Sequence, residues 1–553
     1  VSAKNSVNPE SASDTSSRIN PLSGRMNAAM LMVKDAEGVA ISLSDTKNSF
    51  LLRPKKDHPE IPVMSIRSVN ERLTVSQGQS RAILRNANFK ASAEKNAQKP
   101  KPRKMDSLQF QAFIQKAQMN EPEWMKEEDF RKQDIDIRLD ETMAKYFREW
   151  KLDGELSVSN GNVITPYFPL RTSLKGFKLD FNNNEILLDT LKFVSGKSEI
   201  EAKGKLTGLR RAMLGKSNRG RLKLDLDIFS GKMNAGELMA AYQKGLNYSP
   251  STTSTDHLSD SQLMEVVAVT DSVNMTDSTL STLIVIPANL EANINLNAKD
   301  ARYTGLLADT ITARILTKER CLQITDARAQ TNMGEITFEA FYTTRTKQDL
   351  KTGFDLNFKD ITAEKAISLM PSIDTLVPML KSFSGNLNCE VTATASLDTN
   401  MNIIMPSVNG ILRVSGNKLT ISENDMYTSL ARKFMFKDKK EGHIENMKLE
   451  AVIQDNTLEI FPFVVSMDRY LIAMSGIQNL DMSYRYHASV IKSPLPVKMG
   501  IDVYGQDFDN MKFKIGKAKY KSTNVPVFSS VIDTTKINLV SSIRGIFEKG
   551  VEA

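Results

Sequence analysis

Side chains able to carry chemistry are few and dispersed in this sequence. Its 553 residues hold two cysteines, Cys321 and Cys389, and four histidines, His58, His257, His443 and His487. A structural zinc site needs four Cys or His ligands at short, regular spacings. No CxxC, no HExxH and no histidine pair at helical spacing occurs. Two cysteines also exclude a disulfide-built scaffold. The triplets Gly196-Lys197-Ser198 and Gly215-Lys216-Ser217 look like the end of a phosphate-binding loop. Such a loop needs another glycine five positions earlier, so that backbone amides curl round the phosphate. Leu191 and Arg210 stand there, so both triplets read as turns. No Gly-x-Ser-x-Gly elbow is present. The acidic residues fall on the polar positions of strand-like segments, where solvation accounts for them. His443 and His487 lie in or beside such segments and read as surface or internally satisfied. Nothing assembles nucleophile, base and orienting group. The sequence therefore argues against an enzyme, a metal and a cofactor.

Composition narrows the classes further. Hydrophobic residues are 41% and charged residues 25%, the balance of a folded chain long enough for several cores. No apolar run approaches the ~18 residues of a spanning helix; runs such as Ala28–Val33 are short. The net charge of +8 is mild for this length, and lysines are mostly interleaved with Asp, Glu or Asn. That pattern argues against nucleic acid, whose binders concentrate charge on one face. The Lys99–Lys104 cluster reads as a solvated linker.

The elements that would position any site are strands. Leu222–Ile228, Leu290–Ala298, Phe354–Lys359, Leu387–Leu397 and Met511–Ile515 alternate apolar and polar residues. Period two gives each strand one apolar and one polar face. No helices alternate with them, which argues for antiparallel rather than parallel sheets. A loose repeat joins an apolar strand, a short turn and a strand ending in a small residue. It recurs at Glu185–Phe193 with Ser198–Gly204, at Cys321–Ala327 with Gly334–Ala340, and at Leu458–Phe463 with Tyr470–Gly476. Helical spacing marks Ser107–Met119, Glu141–Trp150, Gly236–Gly245, Ala363–Phe383, Asn424–Phe436 and Ser529–Lys549. The segments then read as follows: 1–25 disordered, 26–104 β-rich, 105–150 a helical connector, and 151–248 a β unit. A Ser/Thr/Asp-rich linker follows over 249–281, then a β unit with a helical end over 282–383. A final β unit with a terminal helix closes the chain over 384–553.

The runs Leu152–Gly161, Leu174–Leu179 and Asn184–Gly204 resemble the repeating unit of AsmA-like proteins, relatives of TamB and of bridge-like lipid-transfer proteins. The segments Phe383–Leu387, Asn409–Leu412, Gly416–Ile421 and Ser475–Leu480 are similar to the C-terminal region of that family. The resemblance covers about residues 150–553 and rests on apolar, Gly and Asn positions. It implies a mainly β fold: long twisted antiparallel sheets forming a repeating, taco-like β-groove with a few amphipathic helices. It implies a non-enzymatic periplasmic protein that conducts phospholipids for outer-membrane biogenesis. It implies partners in the inner and outer membranes and in envelope proteins, and an N-terminal anchor helix that this chain does not show.

On that reading the groove lining comprises Leu222, Leu224, Leu226, Ile228, Leu290, Ala292, Ile294, Leu296, Phe354, Leu356, Phe358, Leu387 and Val391. The 26 methionines fit a lining that accepts varied acyl chains, and equally fit ordinary core filling. The competing reading is a structural scaffold for outer-membrane assembly whose sheet is packed shut. An outer-membrane barrel would need aromatic girdles, and the only two tryptophans, Trp124 and Trp150, lie in the connector.

Overall fold

This computed structural model describes residues 2–5, 19–35, 38–96, 128–215, 220–246, 248, 283–303, 306–362, 383–421, 442–467, 469–479, 483–494, 498–506, 511–521 and 524–547. They are mainly β, in long antiparallel strands with a few helices. Two compact units emerge: Val1–Ala301 with Leu316–Arg320, and Arg302–Ile315 with Cys321–Ala553. The division falls downstream of the Ser/Thr/Asp-rich stretch.

The first unit holds β1 (Ser2–Asn5), β2 (Leu22–Lys34), β3 (Ala40–Lys55), β4 (His58–Gln77), β5 (Ser80–Lys95), β6 (Trp150–Val158), β7 (Asn160–Ile164), β8 (Thr172–Asn182), β9 (Glu185–Ser195), β10 (Ser198–Thr207), β11 (Leu222–Asn234) and most of β12 (Leu290–Tyr303). Neighbours from β1 to β5 and from β8 to β11 pair antiparallel, and β6 and β7 share one lane between β5 and β8. Residues 1–25 were expected to be disordered. Within that segment Leu22–Arg25, the start of β2, pairs with Ser2–Asn5, and residues 6–18 lie outside the described residues. In the connector, Glu141–Glu149 is a helix whose N-cap Asp140 accepts the Met143 N–H. The short helix predicted at Gly236–Gly245 spans Ala235–Leu246. Within the connector, Phe130 lies beneath the fully buried Arg320, which pairs with Asp134 at 3.2 Å.

One device keeps the apolar side in register. Apolar positions of β3 are odd-numbered at Ile41 and Leu43 and even-numbered at Phe50 and Leu52. Those of β5 change parity between Leu84 and Phe89. Asp45 (φ 47°) and Asn86 (φ 52°) lie at these switches in the left-handed region, which short polar residues tolerate and which interrupts strict alternation.

The second unit continues from β13 (Leu306–Lys318), which the division crosses, to β14 (Cys321–Thr331), β15 (Gly334–Thr344), β16 (Leu350–Thr362), β17 (Phe383–Ser384), β18 (Asn386–Ser396), β19 (Asn409–Ile421), β20 (Gly442–Gln454), β21 (Thr457–Met467), β22 (Tyr470–Asn479), β23 (Tyr484–Lys492), β24 (Gly500–Gly505) and β25 (Lys512–Gly516). From β14 onward it is an antiparallel meander. The three repeats read from the sequence are the hairpins β9–β10, β14–β15 and β21–β22, and each contains a register shift. One face of this unit buries a large core including Leu356, Leu387, Val414, Ile444, Ile472 and Ile501.

The helix Ser529–Arg544 packs on the opposite face, as the expected terminal helix. Its Ile532 packs with Ile411 and Phe461, and Ile411 neighbours the core residue Leu412 on the other side of the strand. The expected helices Ser107–Met119 and Asn424–Phe436, all but the last residue of Ala363–Phe383, the linker Ser249–Ser281 and the cluster Lys99–Lys104 lie outside the described residues.

Candidate functional site

The apolar face of the first unit is assembled by register. Gly24, Phe50, Ile66, Ala91, Gly154, Phe181, Ile186, Leu206 and Leu224 stand directly opposite one another along nine successive strands. At about 4.8 Å per strand this uncharged row is roughly 38 Å long. A second row continues from Phe89 through Leu156, Leu179, Leu188 and Gly204 to Leu226. Glycine has a packing role here: a Cβ at Gly24 would enter the Phe50 ring, and one at Gly154 the Phe181 ring. Phe181 in turn stacks on Phe89 at 6.1 Å.

This face is only partly covered. Phe50 is 43% and Ile66 50% exposed. Leu224, Leu226, Ile228, Ile294 and Leu296 are half-buried, while the alternating Lys223, Asp225, Asp227, Asn295 and Asn297 are exposed. These apolar candidates therefore share the sheltered side of their strands. Ala292 is buried. Leu222 and Leu290 belong to a local cluster with Leu209 and Ala212, so they close the face at the level of the helix Leu209–Leu214. Polar side chains interrupt the face near β3 and β4. Ser68 and Asn70 are buried there, and Asn70 donates to the Ala87 carbonyl.

The candidates in the second unit are a correction. Leu356 (7%), Phe358, Leu387 and Val391 (5%) are members of the packed core, and Phe354 packs against it. The physical reason is that β19 to β24 contribute their own side chains to the same cluster, which fills the space a groove would leave. Sequence reasoning also missed Phe50, Ile66, Phe181, Ile186 and Leu206. The strands of Phe50 and Ile66 mix serine and asparagine with charge, and the parity switch at Asp45 hides the period of β3. The cross-strand register that aligns them is not written in any one strand.

The opposite face carries cross-strand ion pairs such as Lys178–Asp189, Lys192–Glu201 and Lys205–Glu185. A groove of about 870 Å³ across β2 to β6 is lined by the row residues Gly24, Phe50, Ile66, Ala91 and Gly154 together with their charged and serine neighbours, among them Arg25, Arg67, Lys90, Asp153 and Glu155, and Lys90 pairs with Glu155 at 3.1 Å.

Titratable groups elsewhere are held rather than offered. His487 Nδ1 lies 2.7 Å from Asp502 Oδ1, and its Nε2 2.8 Å from Ser489 Oγ. The connectivity is that of a hydrolase relay. Ser489 is fully buried, however, and its oxygen already accepts the Lys519 and Tyr520 N–H groups. The relay thus ties down a strap of chain. The Cys389 thiol is pushed up to about 12 by burial and by the neighbouring Glu390 charge. At the Gly196-Lys197-Ser198 turn (Gly196 φ 55°) the Lys197 N–H is taken by the Glu237 carboxylate at 2.9 Å. Of the other triplet, Lys216 and Ser217 lie outside the described residues. Among the described residues no group of three or more His, Cys, Asp or Glu could hold a metal ion, and no helix is long and apolar enough to cross a membrane.

Comparisons of this chain with protein-family models, with curated proteins and with solved structures find no match.

Proposed function

We propose that this protein is a non-enzymatic lipid conduit of the AsmA-like kind. In this reading the apolar face of the first unit carries phospholipid acyl chains in the periplasm, in the service of outer-membrane biogenesis. The observation that carries it is the uncharged nine-strand row with Phe50 and Ile66 left about half exposed. A folded chain in water does not leave so long an apolar strip without a ligand or partner to cover it. At about 0.8 kcal/mol per methylene, sheltering most of one acyl chain contributes on the order of 10 kcal/mol before ordering costs. The row also exceeds half of the ~30 Å hydrocarbon core of a bilayer, the reach of a single acyl chain. Anchoring to the inner membrane and contacts with envelope proteins belong to the same proposal.

The packed core of the second unit favours a scaffold role for that half of the chain. Mass spectrometry of lipids extracted from the purified protein tests the conduit. Phospholipid retained through purification is the expected result. A protein that carries none, and takes up none from vesicles, overturns it.

A further inference from the structure

Several lysines on this sheet pair with a carboxylate on the next strand, as in Lys90–Glu155, Lys205–Glu185 and Lys359–Glu335. The end of the second unit instead concentrates lysines: the carboxylate opposite Lys514 on the next strand is Asp502, already bonded to His487. Lys512, Lys514, Lys517, Lys519 and Lys521 are exposed, and among the described residues none of them forms an ion pair. No Asp or Glu occurs between Met511 and Ser530. The backbone that carries them is held firmly. Lys519 and Tyr520 donate their N–H groups to Ser489, the Tyr520 hydroxyl lies 2.8 Å from Ser475 Oγ, and the His487 ring packs edge-on against Tyr520. Beside them the apolar face ends in Ile515, which is 53% exposed opposite the fully buried Ile501.

From this charge and its rigid support we infer that β25 and the strap Lys517–Lys521 form a docking edge for an anionic lipid surface. A strand at the end of a meander offers both faces to whatever lies beyond it. Here one face offers lysines and the other Ile515, the pairing of charge and apolar contact that an anionic bilayer rewards. The His487–Ser489–Asp502 network, with His487 and Ser489 buried, acquires a role on this reading, because it fixes the lysine-bearing strap against the sheet. The inference goes beyond the conduit and stands without it.

Co-sedimentation of the full chain with vesicles tests it, comparing pure phosphatidylcholine with phosphatidylcholine doped with phosphatidylglycerol. Binding is expected only to the doped vesicles and should fall as salt rises. Each lysine removed should weaken it about fivefold. The variants are Lys512→Glu with Lys514→Glu, and separately Lys517→Gln, Lys519→Gln and Lys521→Gln together. The control reverses two exposed lysines of the first unit, Lys145→Glu with Lys203→Glu, and should bind as the parent does. Circular dichroism melts confirm that each variant folds. Equal binding to both vesicle types, undiminished binding by folded variants, or equal loss in the control overturns the inference. So does displacement of the vesicles by a duplex oligonucleotide at equal charge concentration, which assigns the edge to nucleic acid. Because co-purifying lipid is a separate readout, failure here leaves the conduit unaffected.

Discussion

Ser489, His487 and Asp502 show why residue types alone mislead. The same three groups that activate a nucleophile elsewhere are here consumed by backbone donors and burial. Cys389 is similar. Burial first, and the Glu390 charge second, raise its thiol to about 12, so the reactive thiolate is scarce at neutral pH. Cys389 and the fully buried Cys321 should resist iodoacetamide in the folded chain and react promptly once it is denatured. Rapid labelling of either in the native protein, read by mass spectrometry, would contradict the packing described. Gly204 makes a sharper test of the sheet. A Cβ there would run into the Asp225 carbonyl oxygen, a backbone atom that cannot swing away. Gly204→Ala should cost about 1–3 kcal/mol, the usual range for overpacking. An unchanged urea midpoint would refute the close approach of β10 and β11.

Among elements, the helix Ser529–Arg544 is held by both apolar and ionic contacts. Ile532 is fully buried against Ile411 and Phe461. Arg413 reaches Glu390, Glu450 and the helix residue Asp533 at 2.9, 2.9 and 2.6 Å. Arg413→Ala strands these carboxylates. With the Arg413 side chain 20% exposed, the loss should be about 2 kcal/mol, below the 3–5 of a fully buried pair. Burial would raise the Glu450 pKa, but hydrogen bonds from Ser529, Lys448 and Arg413 outweigh it and hold the carboxyl below its usual value. Asp533 is lowered by Arg413 in the same way. A carboxyl depressed in the folded state stabilises above its unfolded pKa, and that contribution disappears as pH falls through the folded value. Docking should therefore hold above the ordinary carboxylate range, about 4, and weaken below it. Hydrogen-exchange protection factors, corrected for the intrinsic pH dependence, should fall over residues 529–544 on acidification more than in β20, and parallel falls would refute the ionic account. Truncation after Phe528 should expose Ile411 and Phe461 and promote aggregation.

For the whole molecule, the contrast between a half-open face and a closed core is the decisive property. Ile294→Asp places a carboxylate on a half-buried position of the first unit, where water can reach it. Val391→Asp buries the same carboxylate in a core where the valine is 5% exposed. An unpaired buried charge costs several kcal/mol. Val391→Asp should thus lower the melting temperature severely, whereas Ile294→Asp should melt almost as the parent does yet retain less lipid. If Ile294→Asp collapses the fold, the first unit is packed shut and the scaffold reading gains. If it melts normally with unchanged lipid, the acyl path does not cross β12.

Period-two alternation alone determined that Leu222–Ile228, Leu290–Ala298, Phe354–Lys359 and Leu387–Leu397 are strands with one apolar side, because side-chain direction in a strand is a local property. The three hairpin repeats and the terminal helix were legible for the same reason: turn chemistry and helical spacing act within a few residues. What the apolar side faces was left to tertiary structure. Leu226 and Leu356 carry the same pattern, yet one is half-buried and the other sits in a packed core. Burial depends on which strands fold back over a face. The nine-strand row likewise exists only through register, which is set between strands rather than within them.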